Sequence, residues 1–455
     1  MRLLKPRFER APINPEFLKH IQRREKGEDE GAMTSRYGYI PHPVTLSHLK
    51  GKKLFIRARS EGLPSSYDLR KQGRVTSVKD QGPAGICWAF ATYGSLESCL
   101  LPGEYYNFSE NNMKNLLAEE CPEGYDRPFD GGGNIWMSTA YLARWSGPVL
   151  AEDDPYDPAS GNCNQYEVKK HLKQVIYIPD RVDSLDNTNL KLAIMNSGAV
   201  STVMGFDEGY YNEKTASYYS TGGFPNHAVC LVGWNDNYSP SKFNTAPPGK
   251  GAFIVKNSWG TGWGDNGYFY ISYYDMWVGI ENALFSKVES PDKFKVIHQY
   301  DPLGWIASFG YRKNTAWFAN IFTAKTQEAL GGVAFYTAAP ESSYTLYIYR
   351  DVKKGNPRSG TQVKKISGIV EEPSYFTKYF ASPVTLKKEQ RFAVVVKLTT
   401  PGYNYPVPCQ INIPGLSSKA HSEPGWGYVS DNGKQWTDIY SIEANASICL
   451  KGLAN

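Results

Sequence analysis

The chain has 455 residues, 41% hydrophobic and 21% charged, a composition that excludes a disordered or fibrous protein. No apolar run approaches the roughly 18 residues of a membrane span, and the seven cysteines (87, 99, 121, 163, 230, 409 and 449) include no CxxC pair, which argues against a zinc site. The net charge of +5 conceals a split: residues 1–60 hold 14 Lys/Arg against 6 Asp/Glu, a balance of +8, and the rest of the chain sums to −3.

Residues 1–60 read as an arm. Prolines 6, 12, 15, 41 and 43 break it, and a helix is predicted at Glu16–Arg24, started after Pro15. The opening Met1-Arg-Leu-Leu-Lys-Pro-Arg lacks the apolar core of a secretory leader, so the protein is expected either to stay inside the cell or to have its leader missing from this sequence. A basic arm of this kind fits a nucleic-acid tail or an electrostatic partner for an acidic surface on its own chain, with Asp130 and Glu152-Asp153-Asp154 as candidate contacts. The character changes at Gly62-Leu-Pro-Ser-Ser-Tyr-Asp-Leu-Arg70. Ala89, Thr92/Tyr93, Leu96 and Cys99/Leu100 fall at helical spacing, which predicts a helix from Cys87 to Leu101 stopped by Pro102-Gly103. A second helix is predicted at Asn111–Glu120, and the glycine-rich run Asp130-Gly-Gly-Gly-Asn-Ile-Trp136 leads into a third.

Beyond residue 170 the pattern turns to strands: Ala199–Val203, Ala228–Trp234, Ala252–Val255 and Tyr268–Ile271. From 291 to 455 no helix is predicted. Tyr344–Tyr349 and Arg391–Lys397 alternate, Asp431-Asn-Gly433 is a hairpin turn signal, and short strands at this spacing imply a β-sandwich.

Three separated segments carry chemistry: Gln81-Gly-Pro-Ala-Gly-Ile-Cys-Trp-Ala-Phe90, Asn226-His-Ala-Val-Cys230 and Lys256-Asn-Ser-Trp-Gly-Thr-Gly-Trp-Gly264. A cysteine opening a helix is favoured as thiolate by unpaired N–H groups and the helix dipole. An imidazolium at His227 would stabilise that thiolate and later protonate a leaving amine. Asn257 can accept a hydrogen bond from the far ring nitrogen and fix the tautomer without adding charge. Gln81, six residues before Cys87, offers an amide donor for an oxyanion hole. Alone, each segment has a bland reading, as a buried small side chain, a strand-side histidine or a turn. All three in one order, with their flanks, do not.

In these segments, and in the order and separations of Cys87, His227 and Asn257, the chain resembles the papain/cathepsin family of cysteine peptidases. The resemblance implies that Trp88 and Trp259 support the site, Trp259 covering the Asn–His bond. It implies that Gly131, Gly132 and Gly133 form a wall pairing with substrate backbone, and that Ile135, Val203 and Ala228 line the main specificity pocket. All three of these are apolar, which predicts a hydrophobic side chain two residues before the cut. It also implies a Cys121–Cys163 disulfide, and with it an oxidising compartment. Cys99 and Cys230 are expected as buried free thiols, and pairing of Cys409 with Cys449 is left open. The chain departs from the family at Ala84 and Ile86, where relatives carry Cys and Ser. The arm resembles the short prosegment of bacterial and archaeal members that carry a C-terminal lectin-like domain. Residues 291–455 resemble that domain through Tyr300-Asp-Pro-Leu-Gly-Trp305, Phe318-Ala-Asn-Ile-Phe322 and Gly427-Tyr-Val-Ser-Asp-Asn-Gly433.

The expected architecture is therefore α+β: a basic prosegment (1–60), a two-lobed papain-like domain with a helical and a β-barrel-like lobe (61–290), and an all-β sandwich (291–455). The expected activity is endopeptidase hydrolysis through a thioester, from a zymogen, on protein or peptide substrates, with no metal or cofactor. Secretion or a cell-surface location, and glycan contacts through the C-terminal domain, are further expectations; nucleic acid and a membrane span are not expected. The competing readings are a non-catalytic adhesin or glycan-binding protein on a peptidase scaffold, and an exopeptidase, for which no blocking insertion is visible in 61–290.

Overall fold

The computed structural model describes residues 7–26, 37–54 and 62–455. In the arm, Asn14 caps a helix α1 (Pro15–Glu25): its side chain accepts the Glu16 N–H, and Pro15, which has no N–H to leave unsatisfied, fills the first turn. Arg23 and Arg24 stand at the negative end of the helix dipole. Phe17 turns inward and is buried, worth about 2 kcal/mol in removed apolar surface.

The helical lobe is built on α2 (Cys87–Leu100), buried along nearly its whole length. Around it lie α3 (Glu110–Leu116), capped by Ser109, and α4 (Ile135–Ala143), capped by Asn134, whose side-chain oxygen accepts the N–H groups of Trp136 and Met137. α3 stops at Leu116, short of the predicted Glu120, because the chain turns there to meet the Cys121–Cys163 disulfide. The helix α5 (Thr188–Asn196) and the strands His171–Ile178 and Ile280–Glu289 carry weak sequence signals and are not among the predicted elements.

The predicted strands of the second lobe form as Val200–Met204, His227–Asn235, Ala252–Lys256 and Tyr268–Ser272, antiparallel neighbours in one sheet. That sheet does not end with the lobe. Ile280–Glu289 joins it to His171–Ile178, which pairs with Ser374–Leu386 from the C-terminal region through Ser374↔Ile176, Tyr375↔Val175 and Phe376↔Gln174. The result is a 13-stranded sheet shared by both regions. A six-stranded sheet and a four-stranded sheet complete the β-rich half. Asp431-Asn432-Gly433 lies between Gly427–Ser430 and the antiparallel partner Thr437–Asp438, with Gly433 at φ 71°.

The arm is laid across both regions. Glu9–Arg10 adds a strand to Ala307–Gly310, and Phe8 stacks on Phe309. Among the described residues one ion pair of the arm runs opposite to the expected sign: Glu9 pairs with Arg312, an acid on the arm with a base on the body. Asp153 faces Lys169, and Asp154 is buried against Asn111 and Asn112. Local counter-charges and amides had already claimed those carboxylates.

Candidate active site

Cys87 is the first residue of α2, with Ile86 in the non-helical cap position before it, fully buried. His227 opens the strand His227–Asn235, and Asn257 follows the strand Ala252–Lys256. The adjacent pairing Cys230↔Lys256 sets the two strands in the register that brings His227 and Asn257 together. Their contact is a hydrogen bond of 2.8 Å between His227 Nε2 and Asn257 Oδ1. The same oxygen accepts the Ser258 N–H at 2.8 Å, so it is an acceptor, and Nε2 must carry the proton. That leaves Nδ1 for proton exchange. Trp259 stacks on the imidazole at 4.7 Å and 23°, and is itself boxed edge-on by Phe206 and Trp263.

The thiol is brought to the same place. Cys87 Sγ accepts the N–H of Ala228, the residue after His227, at 3.3 Å. Gln81 is fixed in the preceding loop: its Nε2 donates to Ala84 O at 2.8 Å, its Oε1 accepts from Ser258 Oγ at 2.6 Å, and its main-chain N–H donates to Ser258 O. The four catalytic candidates are all buried, Cys87, His227 and Gln81 to 0% exposure and Asn257 to 4%.

The arm is what covers them. Gly38 N–H also donates to Cys87 Sγ at 3.3 Å, and Tyr37 meets the His227 and Trp259 rings edge-on. Along the glycine wall, Gly133 N–H donates to Gly38 O at 2.8 Å and Ile40 N–H donates to Gly133 O at 2.9 Å, a parallel bridge with Tyr39 between. Only glycine fits at position 38: a Cβ there would lie 1.6 Å from the carbonyl oxygen of Gly85, in the loop before Cys87. Burial pushes the Cys87 thiol up to about 11, against the pull of the N–H groups of Ala228, Gly38, Trp88 and Cys87. The helix dipole alone predicted a thiolate; in the covered state desolvation wins.

The predicted specificity residues are linked through Ile280, the cross-strand partner of Val203 and a neighbour of Ile135 in one cavity lining. Val203 and Ala228 are cross-strand neighbours and buried. Ile135 lines a cavity of about 320 Å³ together with Ile280, Asp180, Glu281 and Val44 of the arm. That cavity has polar as well as apolar lining. Glu281 sits at φ 46°, its Oε2 buried with no hydrogen-bond partner among the described residues. Its pKa rises to about 8, chiefly through burial, with the Tyr39 phenol opposing and Asp180 adding to the rise. No motif surrounds Glu281, so nothing in the sequence marked it. Trp88 is fully buried against the wall, where a Cβ on Gly133 would strike its ring at 2.6 Å. Cys121 and Cys163 are bridged, while Cys99, Cys230, Cys409 and Cys449 are free, which closes the question of a second bridge.

Residues 63–288 match the pattern of the papain family cysteine proteases, and residues 297–454 that of the lectin-like domain. A viral cathepsin of Choristoneura fumiferana defective polyhedrosis virus is 34% identical over 267 residues, covering 56% of this chain and 73% of the relative. Cysteine proteinase 15A of Pisum sativum is 30% identical over 221 residues, 46% and 58% of the two chains. The fold is similar to the cysteine protease and lectin-like domains of Cwp84, a surface layer associated protein of Clostridium difficile. That match has a TM-score of 0.83 at 24% identity, covering 100% of this chain and 99% of that one. It is also similar to Cwp84 after propeptide cleavage, with a TM-score of 0.75 at 25% identity over 86% of this chain. The chain belongs to the papain family of cysteine proteases and carries a C-terminal lectin-like domain.

Proposed function

We propose that Cys87 is the nucleophile of this cysteine protease, His227 its acid–base partner, Asn257 the orienter of His227, and Gln81 an oxyanion donor. The His227–Asn257 hydrogen bond beneath Trp259, beside a thiol held against Ala228, is the observation that carries the reading. In the uncovered site His227 takes the Cys87 proton and stabilises the thiolate, which attacks the scissile carbonyl. The oxyanion that forms is met by the Gln81 amide and the Cys87 N–H. His227 then protonates the leaving amine, and water, activated by the same imidazole, hydrolyses the thioester. Gly131–Gly133 pair with the substrate backbone, and Ile135, Val203 and Ala228 furnish the walls that favour an apolar side chain two residues before the cut. Residues 1–60 act as the inhibitory prosegment, 61–290 as the peptidase and 291–455 as the lectin-like domain. The bond from Gly38 to Cys87 Sγ supports the inhibitory role.

The test is labelling of the chain by a peptidyl epoxide before and after removal of residues 1–60. Labelling should rise on removal and vanish in Cys87→Ala. Equal labelling of the intact and trimmed chains would remove the inhibitory role, and labelling that persists in Cys87→Ala would remove the nucleophile.

The lectin-like domain supports a second role in glycan binding. On the outer face of the six-stranded sheet Trp317 and Tyr347 stack at 5.6 Å, half-buried, with Lys397 and Lys365 beside them, the amphipathic surface on which sugar rings pack. A secreted or cell-surface location fits the disulfide and the surface layer association of Cwp84. No helix among the described residues is long and apolar enough to cross a membrane.

A further inference from the structure

Arg127 lies directly behind the glycine wall. It is 3% exposed, and its guanidinium donates to four main-chain carbonyls. Nε reaches Gly132 O at 2.8 Å, Nη1 reaches Lys114 O at 2.7 Å, and Nη2 reaches Gly131 O at 2.6 Å and Phe129 O at 3.3 Å. The guanidinium carbon stands 5.0 Å from the centroid of Trp88, the residue after the nucleophile. Its hydrogen-bond partners are carbonyls, and burial lowers its pKa to about 9, with Asp130 and Glu120 pulling the other way. A buried cation held by carbonyl dipoles is an expensive arrangement, tolerable where those carbonyls must be held.

Three consecutive glycines have little conformational preference of their own, so the peptide planes between them need an external hold. The Gly132–Gly133 peptide is trans, and a planar trans peptide points its C=O and N–H in opposite directions. Fastening Gly132 O to Arg127 Nε therefore turns the Gly133 N–H into the cleft, where it meets Gly38 O at 2.8 Å. Gly133 O, outside the Arg127 set, faces the cleft and accepts the Ile40 N–H. On the inner side the wall has no slack, because Gly133 already abuts the Trp88 ring and Asp130 O is taken by the Gly85 N–H at 2.8 Å.

We propose that Arg127 is a positioning residue for substrate: by holding the Gly131 and Gly132 carbonyls it aims the Gly133 N–H into the cleft as the donor that grips a peptide main chain. This rests on the reading of the wall as the substrate-binding edge. It assigns Arg127 no contact with substrate and no part in proton transfer.

The test uses the chain trimmed of its arm, as wild type, Arg127→Met and Arg127→Lys, read by two rates. One is hydrolysis of a peptide with at least three residues before the cut; the other is alkylation of Cys87 by iodoacetamide, too small to need the wall. Arg127→Met should lower kcat/KM on the peptide roughly 10- to 100-fold, mainly through KM, with alkylation changed by less than about twofold. Arg127→Lys should fall between, since an ammonium cannot span four carbonyls. A parallel fall in both rates would overturn the proposal, as general damage to the site, and so would an unchanged kcat/KM. Should Arg127→Met not fold, Arg127→Lys and Arg127→Gln carry the same comparison. A wild-type chain that is alkylated but inert toward peptide would instead refute the underlying reading of the cleft.

Discussion

Among the described residues an arginine lies on a tryptophan in two places, and the surroundings decide what each pair does. Arg127 stands over Trp88 in a sealed setting, its donors fastened to carbonyls of the cleft wall. Arg358 stands 5.4 Å over Trp317 on the outer face of the six-stranded sheet, donating to the Tyr349 hydroxyl and to Gly433 O. That second pair pins a turn to a surface whose rings stay partly exposed. The cleft is preorganised, with its polar groups spent on one another. The sheet face is a platform with contact area to spare. A preorganised site should fail steeply when one group is lost, whereas a platform should fail by degrees.

The steepest expected loss is at the imidazole. His227→Ala in the trimmed chain should lower kcat by about a thousandfold or more while circular dichroism and melting stay near wild type. A loss below tenfold would mean that the cleft tolerates change as the platform does.

Next is the covered state. A side chain at position 38 must displace the Gly85 carbonyl or lift the arm, an overpacking cost of about 1–3 kcal/mol. Gly38→Ala in the untrimmed chain should therefore raise the rate of Cys87 alkylation roughly 10- to 100-fold. A rate equal to wild type would show that the arm is not held by this close approach.

A milder effect is expected from acid. Burial lowers His42 to about 3 and His48 to about 4, both neutral where they meet the body: His42 stacks on Trp136, and His48 bonds Ala338 O and stacks on Tyr403. A histidine held below its free value of 6.5 favours the bound arm fully above pH 6.5, and that contribution is lost as the pH falls toward about 4. Glu281 and Asp180, both raised by burial under the arm, oppose this trend, so the histidine contribution is best read as a difference between two chains. Compared with His48→Phe, the wild-type arm should release progressively more readily between pH 6.5 and 4, by up to about tenfold per pH unit. Identical pH profiles would remove His48 from the account.

The smallest effect should come from the platform. Trp317→Ala should weaken binding to any glycan that an array of the full chain identifies by roughly five- to thirtyfold, at about 1–2 kcal/mol for one lost aromatic face, and leave peptide hydrolysis unchanged. Loss of hydrolysis in that variant would tie the two regions together more closely than their shared sheet requires.

The proposed catalytic residues were legible because acyl transfer restricts residue type as well as position. Cys87 at a helix start, His227 before an apolar strand and Asn257-Ser-Trp259 each kept recognisable flanks. Glu281 and Arg127 were not legible. One is an isolated acid at an unusual backbone angle, the other a basic residue in a loop, and their roles exist only once the pocket and the wall are built around them. The seating of the arm was not legible either: among the described residues glycine, tyrosine and histidine contacts set it against the body, and these leave no pattern in the charge.

By itself the sequence determined the α+β class, the helical and β-rich halves and the candidate catalytic constellation, since these depend on local periodicity and on motifs with fixed chemistry, and the family resemblance implied the Cys121–Cys163 bridge. Only the tertiary structure decided the continuation of one sheet through Ser374↔Ile176 from the protease into the lectin-like domain, the seating of Gly38 on Cys87, and the hold of Arg127 on the wall. Each of these has a main-chain group on at least one side. Main-chain atoms are the same in every residue, so their meetings leave no mark on the order of side chains.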